Sequence, residues 1–519
     1  MNKSLIVGAI YLSSLGFAHA DELTNLKKEQ ELLAKQNKIL IEKLASVEKR
    51  QKILETKAKQ ENHAGAQALA APGPGVPPAQ WTAADLGRRL LDPNDNGPLT
   101  FKGITIYGVI DAGVAYQSHG NPLSPIMPPG LEYLISKNSN HSQFTAAPNG
   151  LANSNIGIKG IEELSPGWSA VFNLQTIFNP TSGQIQNGLG SLVQNNGVAL
   201  ANQTSLSDSS KSGQPFANAY FGVSSPVYGT LTFGRQNTLA LDAVFNYDPM
   251  GGSNAFSLIG YSGVIAGFGY TEDARLDNAI KYRVDYGPFH AGALYKFGQS
   301  GSANGDAYEG QAGVEYKGFA IDAIGSHVND AINASSLSAA NVGAVTPSML
   351  AGAGNGLVNA TVSDNTAFML AARYTIGQFK FFGAYENIRF QDPATPLVQG
   401  DGILGGYTLD VVTNNLYIHD RVLQVFWTGV KYAVRPDVDL SVAYYHEAQN
   451  SYSGNGCSTN VAANCSGSLD AVSGLVDYHL TKRFDVYAGA MYSTVANGMA
   501  NGFLNSGTID PMVGGRFQF

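Results

Sequence analysis

The chain has few charges, little cysteine and no basic excess. Of its 519 residues, 14% are charged and 2 are cysteine, whereas roughly 25% are charged in an ordinary soluble domain. Lys and Arg number 32 against 40 Asp and Glu, a net charge of −8, so a nucleic acid has no basic surface to bind. No run of 18 or more apolar residues follows the N-terminus, which argues against a bundle of membrane-spanning helices.

The sequence also lacks the short motifs of common catalytic sites. It contains no G-x-S-x-G, H-E-x-x-H, G-x-x-x-x-G-K-[ST] or C-x-x-C. The 9 histidines lack metal-ligand spacing. Asp477 and His479 share a strand face, but no serine is placed to complete a triad. We therefore expect neither an enzyme nor a metal or cofactor site.

What the chain does contain is glycine (60), tyrosine (25), phenylalanine (24) and a two-residue alternation. From residue 102 onward, apolar and polar residues alternate over strands of about ten residues. One face stays apolar while the other carries charge. The apolar positions of four such strands are Ile104, Ile106, Ile110 and Val114; Leu370, Ala372, Tyr374 and Ile376; Val438, Leu440, Val442 and Tyr444; and Val513, Gly515, Phe517 and Phe519.

Short and long connections alternate along the same region. Seven tight turns fall at 164–167, 225–226, 286–288, 317–318, 376–377, 435–436 and 481–482. Eight long loops lie near 118–152, 179–215, 238–274, 299–307, 329–363, 391–418, 450–466 and 496–509. Fifteen connections predict sixteen antiparallel strands in an all-β transmembrane barrel, because lipid supplies no hydrogen-bond partners and only a closed sheet satisfies its backbone. The alternative, a soluble β-sandwich, would not keep one face apolar over this length.

The N-terminus predicts export. Residues 1–20 combine Lys3, a short apolar run and Ala18-His19-Ala20, as in a cleaved signal peptide. A membrane anchor is the alternative, but the run is too short to span a bilayer. Export would let Cys457 and Cys465, which lie in a Gly/Asn/Ser-rich loop, form a disulfide. Closing so short a loop stabilises the fold by roughly 2–3 kcal/mol.

A charged segment and a linker precede the predicted barrel. Residues 21–61 include 18 charged residues among 41, and their apolar positions recur every seven residues, which predicts a coiled coil. A parallel homotrimer is our expectation, although the seam leaves two or three strands open, and a lone amphipathic helix is the alternative. Residues 62–101 form a Pro/Ala/Gly-rich linker with a short helix, and residues 102–519 form the barrel. The predicted seam comprises Leu26, Leu33, Asn37, Leu40, Leu44, Val47 and Leu54.

Several ordered motifs in the barrel region resemble those of the trimeric general porins of Gram-negative bacteria. Residues 102–114 are similar to the first strand of that family, and 155–164 to its second strand. Residues 221–236 and 277–283 resemble the strands flanking its third loop. Gly514-Gly-Arg-Phe-Gln-Phe519 is similar to its closing strand, whose terminal Phe519 would serve as the assembly signal.

The resemblance implies a pore narrowed by the third loop, here about 238–274. That loop carries Asp242 and Asp248, while Arg235 and Arg275 stand where the family has wall arginines. Arg235 shares a register with apolar neighbours, so a bulge at Gly234 would be needed to turn it inward. The two-residue alternation places Arg275 on the same strand face as Lys281 and Arg283. The further charges that it places on lumen faces are Asp111, Lys281, Arg283, Arg373 and Lys380.

The expected function is that of an outer-membrane porin. Sixteen strands leave an aqueous lumen, through which ions and small hydrophilic solutes would diffuse passively. The expected partners are outer-membrane lipid and two further copies of the chain, with the coiled coil in the periplasm near peptidoglycan. The alternative is a substrate-specific channel or receptor for a siderophore, sugar or nucleotide. An adhesin fits less well, because one chain supplies every strand here.

Overall fold

A computed structural model describes residues 99–122, 133–185, 189–204, 216–259, 274–298, 305–344, 356–398, 403–404, 407–453 and 462–519, together with Lys35 and Cys457. Apart from Lys35, the described residues lie in the unit Pro78–Phe519. The predicted signal peptide, the coiled-coil seam and nearly all of the linker lie outside the described residues. Within the described part, no helix is both long and apolar enough to cross a membrane.

Sixteen antiparallel strands among these residues form one closed sheet, as predicted. The first and last barrel strands pair through Val109–Ala115 and Met512–Gln518, which closes the barrel. The described residues contain twenty strand segments: β1 (Leu99–Phe101), β2 (Ile104–Gly120), β3 (His141–Pro148), β4 (Asn155–Ser165), β5 (Trp168–Ile177), β6 (Asn218–Ser225), β7 (Gly229–Asn237), β8 (Arg275–Tyr286), β9 (Phe289–Lys296), β10 (Ala307–Tyr316), β11 (Phe319–Ser335), β12 (Leu357–Ile376), β13 (Phe379–Gln391), β14 (Ile403–Leu404), β15 (Tyr407–Thr413), β16 (Arg421–Arg435), β17 (Val438–Gln449), β18 (Gly467–His479), β19 (Phe484–Asn497) and β20 (Gly507–Gln518).

Sixteen barrel strands remain when β3 and β4 are counted as one and β1, β14 and β15 are set aside. The strands β3 and β4 both pair with β2 and form one interrupted barrel strand, and β1 adds a short hairpin strand to the start of β2. The strands β14 and β15 pair with each other, and β15 also pairs in parallel with β12. All seven predicted tight turns connect consecutive barrel strands. The predicted alternation of short and long connections is therefore confirmed.

Three predicted segments contain strands that were not expected. The predicted loop 118–152 contains β3, the predicted loop 391–418 contains β14 and β15, and the predicted linker 62–101 ends in β1. At the break between β3 and β4, the carboxylate of Asp111 accepts 2.8 Å hydrogen bonds from the backbone N–H groups of Leu151 and Ala152. A side chain on the neighbouring strand β2 therefore stabilises the interruption. The local sequence around the break does not predict it, because this partner is distant in the chain.

The predicted apolar face points away from the lumen. Ile110 is 45% exposed and Val442 is 53% exposed, whereas Asp111 and Tyr445 on the opposite face are fully buried. Exposed aromatic and aliphatic side chains recur on this outer surface, including Phe221, Tyr286, Phe368, Phe381 and Tyr492. A surface of this kind is stable in contact with lipid rather than water.

The long loops carry the remaining elements. The described helices are α1 (Leu189–Gln194), α2 (Leu239–Tyr247), α3 (Ala339–Ala344) and two 3₁₀ turns, Leu200–Asn202 and Gly498–Ala500. In the loop between β17 and β18, Cys457 and Cys465 form a disulfide with 5.2 Å between their Cα atoms. At the C-terminus, Phe519 exchanges two backbone hydrogen bonds of 3.0 Å with Gly108.

Candidate functional site: the third loop and its facing wall

Helix α2, in the loop between β7 and β8, begins against the barrel wall. The side chain of Thr238 accepts a 3.0 Å hydrogen bond from the backbone N–H of Leu241 and so caps the helix. The backbone N–H of Leu239, the first residue of the helix, donates a 2.6 Å hydrogen bond to the carboxylate of Glu309 on β10. A carboxylate at a helix N-terminus also interacts favourably with the helix dipole. The wall therefore fixes where the helix starts.

The end of α2 is bound to strands further around the barrel. The hydroxyl of Tyr247 donates to the carboxylate of Asp322 on β11. Its backbone carbonyl accepts a 3.1 Å hydrogen bond from the indole N–H of Trp427 on β16. Just past the helix, Asp248 accepts a 2.6 Å hydrogen bond from the hydroxyl of Tyr445 on β17. These contacts hold the loop inside the barrel, along its inner wall.

The loop then reaches the first strands. The backbone N–H of Ala255 donates a 2.9 Å hydrogen bond to the carbonyl of Gly150, in the break between β3 and β4. The ring of Phe256 packs edge-on against Tyr487 of β19, with ring centroids 6.1 Å apart. The described part of the third loop therefore contacts the wall from β10 round to the break between β3 and β4, and so lies inside the barrel as the resemblance implied.

Three charged side chains meet where α2 faces β8. The carboxylate of Asp242, in the first turn of the helix, lies 2.5 Å from the ammonium of Lys281 and 2.8 Å from the guanidinium of Arg283. These three groups line a cavity of about 250 Å³. The side chain of Arg283 is 39% exposed, so part of this charge is accessible to solutes. The remaining lining is polar or aromatic: Asn173, Asn218, Tyr220, Thr230, Thr232, Gln236 and Asn237.

Two predicted lumen acids are instead buried supports. Asp248 is 2% exposed; its second carboxylate oxygen accepts a 2.7 Å hydrogen bond from the backbone N–H of Gly252. Burial raises the pKa of this loop carboxyl. Its hydrogen bonds from Tyr445 and Gly252 lower it by less. Asp111 is fully buried and binds the hydroxyl of Tyr487 at 2.6 Å. The two-residue alternation places Asp111 on the inward face, but it does not predict that the side chain is buried.

The two predicted wall arginines do not line this cavity. The register of β7 against β8 shifts between Gly234 and Gln236, where Arg235 alone faces two residues of β8, Asp277 and Asn278. The bulge therefore lies in β8 and not at Gly234. The Nε of Arg235 donates a 3.0 Å hydrogen bond to the carbonyl of Phe216. The alternation linking Arg275 to Lys281 is interrupted in β8 by the same register shift and by Asn278, whose φ is 51°. The expectation that Arg275 follows the face of Lys281 is therefore wrong.

The other two predicted lumen cations lie on neighbouring strands. Arg373 on β12 donates to the carbonyl of Asn246 at 3.3 Å and forms a 2.9 Å ion pair with Glu315. Its guanidinium also lies 5.6 Å from the ring centroid of Tyr247, so it supports the end of α2. The ammonium of Lys380 on β13 lies 5.2 Å from the ring centroid of Phe382.

Sequence reasoning missed the anchoring residues. Glu309, Asp322, Trp427 and Tyr445 occupy inward positions, yet nothing in the local pattern says that they touch a loop. The signal for Thr230 and Thr232 was available, because they alternate with Leu231 and Phe233 as lumen-facing residues should.

A second cavity, of about 200 Å³, lies among the long loops. The cations Lys137 and Arg421 both line it. The guanidinium of Arg421 lies 4.5 Å from the ring centroid of Phe390. The side chain of Lys137 is exposed at the cavity. Its partial desolvation by the surrounding residues and the nearby charge of Arg421 lower its pKa. The other lining residues are Asn333, Leu416, Tyr417, Gln449, Tyr452, Ala463, Gly498, Met499, Asn501 and Phe503.

Comparison with known proteins places this architecture. An outer membrane porin protein of Bordetella pertussis is 28% identical over 203 residues, which cover 39% of this chain and 43% of the relative. This chain therefore spans less than half the length of that relative. The fold is similar to that of an anion-selective porin from Comamonas acidovorans, with a TM-score of 0.52, 15% identity, and 80% and 99% of the two chains covered.

A further structural neighbour has the same fold. OmpT, an outer membrane protein of Vibrio cholerae, matches with a TM-score of 0.50 at 14% identity, covering 81% of this chain and 99% of OmpT. The sequence profile of one family matches residues 66–498, which include nearly the whole barrel. The chain belongs to the Gram-negative porin family.

Proposed function

We propose that the chain forms a water-filled channel through the outer membrane, in which ions and small hydrophilic solutes diffuse passively. The observation that carries this proposal is the Asp242, Lys281 and Arg283 cluster, set in a polar cavity inside a barrel whose outer face is apolar. Two cations paired with one carboxylate leave the cluster with a net charge of +1, and charges that line a pore select among ions.

Planar-bilayer recordings in a salt gradient test the proposal. Purified protein should open steps of stable conductance. Asp242→Asn leaves Lys281 and Arg283 uncompensated, so the reversal potential should move toward anion selectivity. Lys281→Gln should move it toward cations. The matched control is Asp437→Asn, because Asp437 also pairs with an arginine, Arg435, at 3.1 Å, but at a tight turn. Absence of conductance in the folded protein would refute the proposal.

A channel selective for small organic anions is a second candidate, favoured by the cavity that holds Lys137 and Arg421. Two cations beside aromatic rings suit a carboxylate with an apolar body. Liposome swelling with size-matched neutral and anionic solutes separates the two candidates. A single size cut-off indicates a general channel, and faster entry of the anions indicates the selective one.

We also propose that three chains associate and that the coiled coil of residues 21–61 lies in the periplasm and strengthens the trimer. Its support is the sevenfold spacing of the seam. Deletion of residues 21–61 should lower the temperature at which the trimer dissociates in detergent. An unchanged dissociation temperature would exclude this role, and co-sedimentation with purified peptidoglycan tests contact with the cell wall.

The proposed channel performs no catalysis. Its support is the lack of the short catalytic motifs noted above and membership of a porin family. Lipid and peptide hydrolysis by the purified protein, measured against a heat-denatured sample, would reveal an enzyme if the proposal were incorrect.

A further inference from the structure

A compact group of potential metal ligands lies on the inner face near the tight-turn end of the barrel. One ligand atom each from Asp477, His479 and Asp485 lies within 4.8 Å of the other two. His479 and Asp485 are direct cross-strand partners on β18 and β19. Asp477 is two residues before His479 and therefore shares its face. The sheet itself thus brings the three side chains together.

One of these carboxylates has an unused oxygen. Asp477 is 7% exposed, and its Oδ1 has no hydrogen-bond partner among the described residues. Its other oxygen, Oδ2, lies 3.5 Å from the guanidinium of Arg516. A buried carboxylate oxygen left without a partner is costly, and a bound cation would satisfy it.

The surrounding side chains already orient the other two ligands. The Nδ1 of His479 lies 2.7 Å from Oδ1 of Asp485, and its Nε2 lies 3.2 Å from Oδ2 of Asp439. Arg516 binds the other oxygen of Asp485 at 2.6 Å, and Lys431 binds Asp439 at 2.7 Å. A histidine whose second nitrogen donates to a carboxylate is the usual arrangement around a metal ion.

The charges also leave room for a cation. Asp439, Asp477 and Asp485 contribute three negative charges, whereas Lys431 and Arg516 contribute two positive charges. With His479 neutral, the group carries a net charge of −1. Imidazole nitrogens and carboxylate oxygens are both ligands of Zn²⁺, and three protein ligands leave a fourth position for water.

We propose that Asp477, His479 and Asp485 form a site for a divalent transition-metal ion, with Zn²⁺ as the preferred ion. The ion occupies the position between Nδ1 of His479 and the Oδ1 atoms of the two aspartates. Asp439 holds the imidazole from behind, and Arg516 holds Asp485. The bound ion would link β18 to β19 inside the mouth of the barrel.

Isothermal titration calorimetry tests the site with ZnCl₂ and the detergent-solubilised full chain, purified without a polyhistidine tag. One Zn²⁺ per chain is expected. His479→Gln should abolish binding. Asp439→Asn, which removes only the support behind the imidazole, should weaken binding by about 10–100-fold. MgCl₂ should not compete, because Mg²⁺ prefers an octahedral shell of oxygens.

The matched control is His446→Gln, because His446 forms the same 2.7 Å pair with a single aspartate, Asp470. This variant should retain Zn²⁺ binding. Asp477→Asn preserves the size of the side chain and should fold, which circular dichroism checks, yet it should weaken binding. Absence of Zn²⁺ binding by the wild type, or full retention in His479→Gln, would overturn the proposal.

Discussion

The hydroxyl of Tyr445 on β17 donates a 2.6 Å hydrogen bond to the carboxylate of Asp248, which lies 197 residues earlier in the chain. Both side chains are buried, so this bond is made where water does not compete. It joins the third loop to the wall opposite the strands from which the loop emerges. The position of the loop therefore depends on a few such long-range contacts.

Tyr445→Phe should loosen the third loop without opening the barrel. The substitution removes the hydrogen-bond donor to one buried oxygen of Asp248, which lowers the free energy of unfolding by about 1–3 kcal/mol. Single-channel recordings should show more current fluctuation, and the temperature of barrel unfolding should fall. Tyr444→Phe is the control, since Tyr444 also donates to an aspartate, Asp470 at 2.7 Å, but at an exposed position. Equal noise in both variants would contradict this role of Tyr445.

Glu309 should fix the start of helix α2 through its acceptor oxygen rather than its charge alone. Glu309→Gln retains a carbonyl oxygen for the N–H of Leu239, whereas Glu309→Ala leaves that buried N–H without this acceptor, at about 1–3 kcal/mol. We expect Glu309→Ala to raise single-channel conductance, because the helix is less firmly held to the wall. Glu309→Gln should stay near wild type, and similar conductance in both variants would exclude the anchor.

The barrel could be predicted because its pattern is local. Turn residues and the two-residue alternation predict the barrel strands. Ile110 and Asp111 lie on the outer and inner faces that the alternation predicts for them. The same alternation cannot distinguish an exposed lumen residue from a buried one, as Asp111 demonstrates, because its partners Leu151, Ala152 and Tyr487 are distant in the sequence. It also fails for Arg275, because the positive φ of Asn278 and the adjacent register shift break the two-residue period.

Contacts between segments that are far apart in the chain could not be predicted from the sequence. The cluster of Asp242 with Lys281 and Arg283 was partly foreseen, since the resemblance placed the loop in the pore and the alternation placed the two cations on one face. The partners of Tyr247 and Asp248 were not foreseen, because they depend on the path of the loop through space. The Zn²⁺ site proposed above departs from the expectation of no metal site for the same reason.

Gly234 should be required for the register shift beside Arg235. Its φ is 125°, and a Cβ there would lie 2.3 Å from the carbonyl oxygen of Ala219. Gly234→Ala should therefore lower the unfolding temperature, with a loss of more than about 1 kcal/mol. In Gly310→Ala the new Cβ meets nothing within 4 Å, so this strand variant is the control. Equal destabilisation would mean that the backbone at Gly234 is not special.

Ion selectivity should change at alkaline pH through Lys137. Partial desolvation and the charge of Arg421 lower the pKa of Lys137, so this ammonium loses its proton at a lower pH than an ordinary lysine does. As the pH rises through that range, the cavity loses one positive charge, and the permeability of chloride relative to potassium should fall. Reversal potentials in a KCl gradient, recorded at a series of pH values, measure this change.

Three variants separate Lys137 from other titrating groups. Lys137→Arg keeps its charge throughout the alkaline range, because a guanidinium does not deprotonate there, so the step should disappear while the chloride preference is retained. Lys137→Gln should show the lower chloride preference at every pH. Lys482→Gln, which removes a charge at a tight turn, should keep the step. If the step persists in Lys137→Arg, another group is responsible, since only Lys137 has been made unable to titrate.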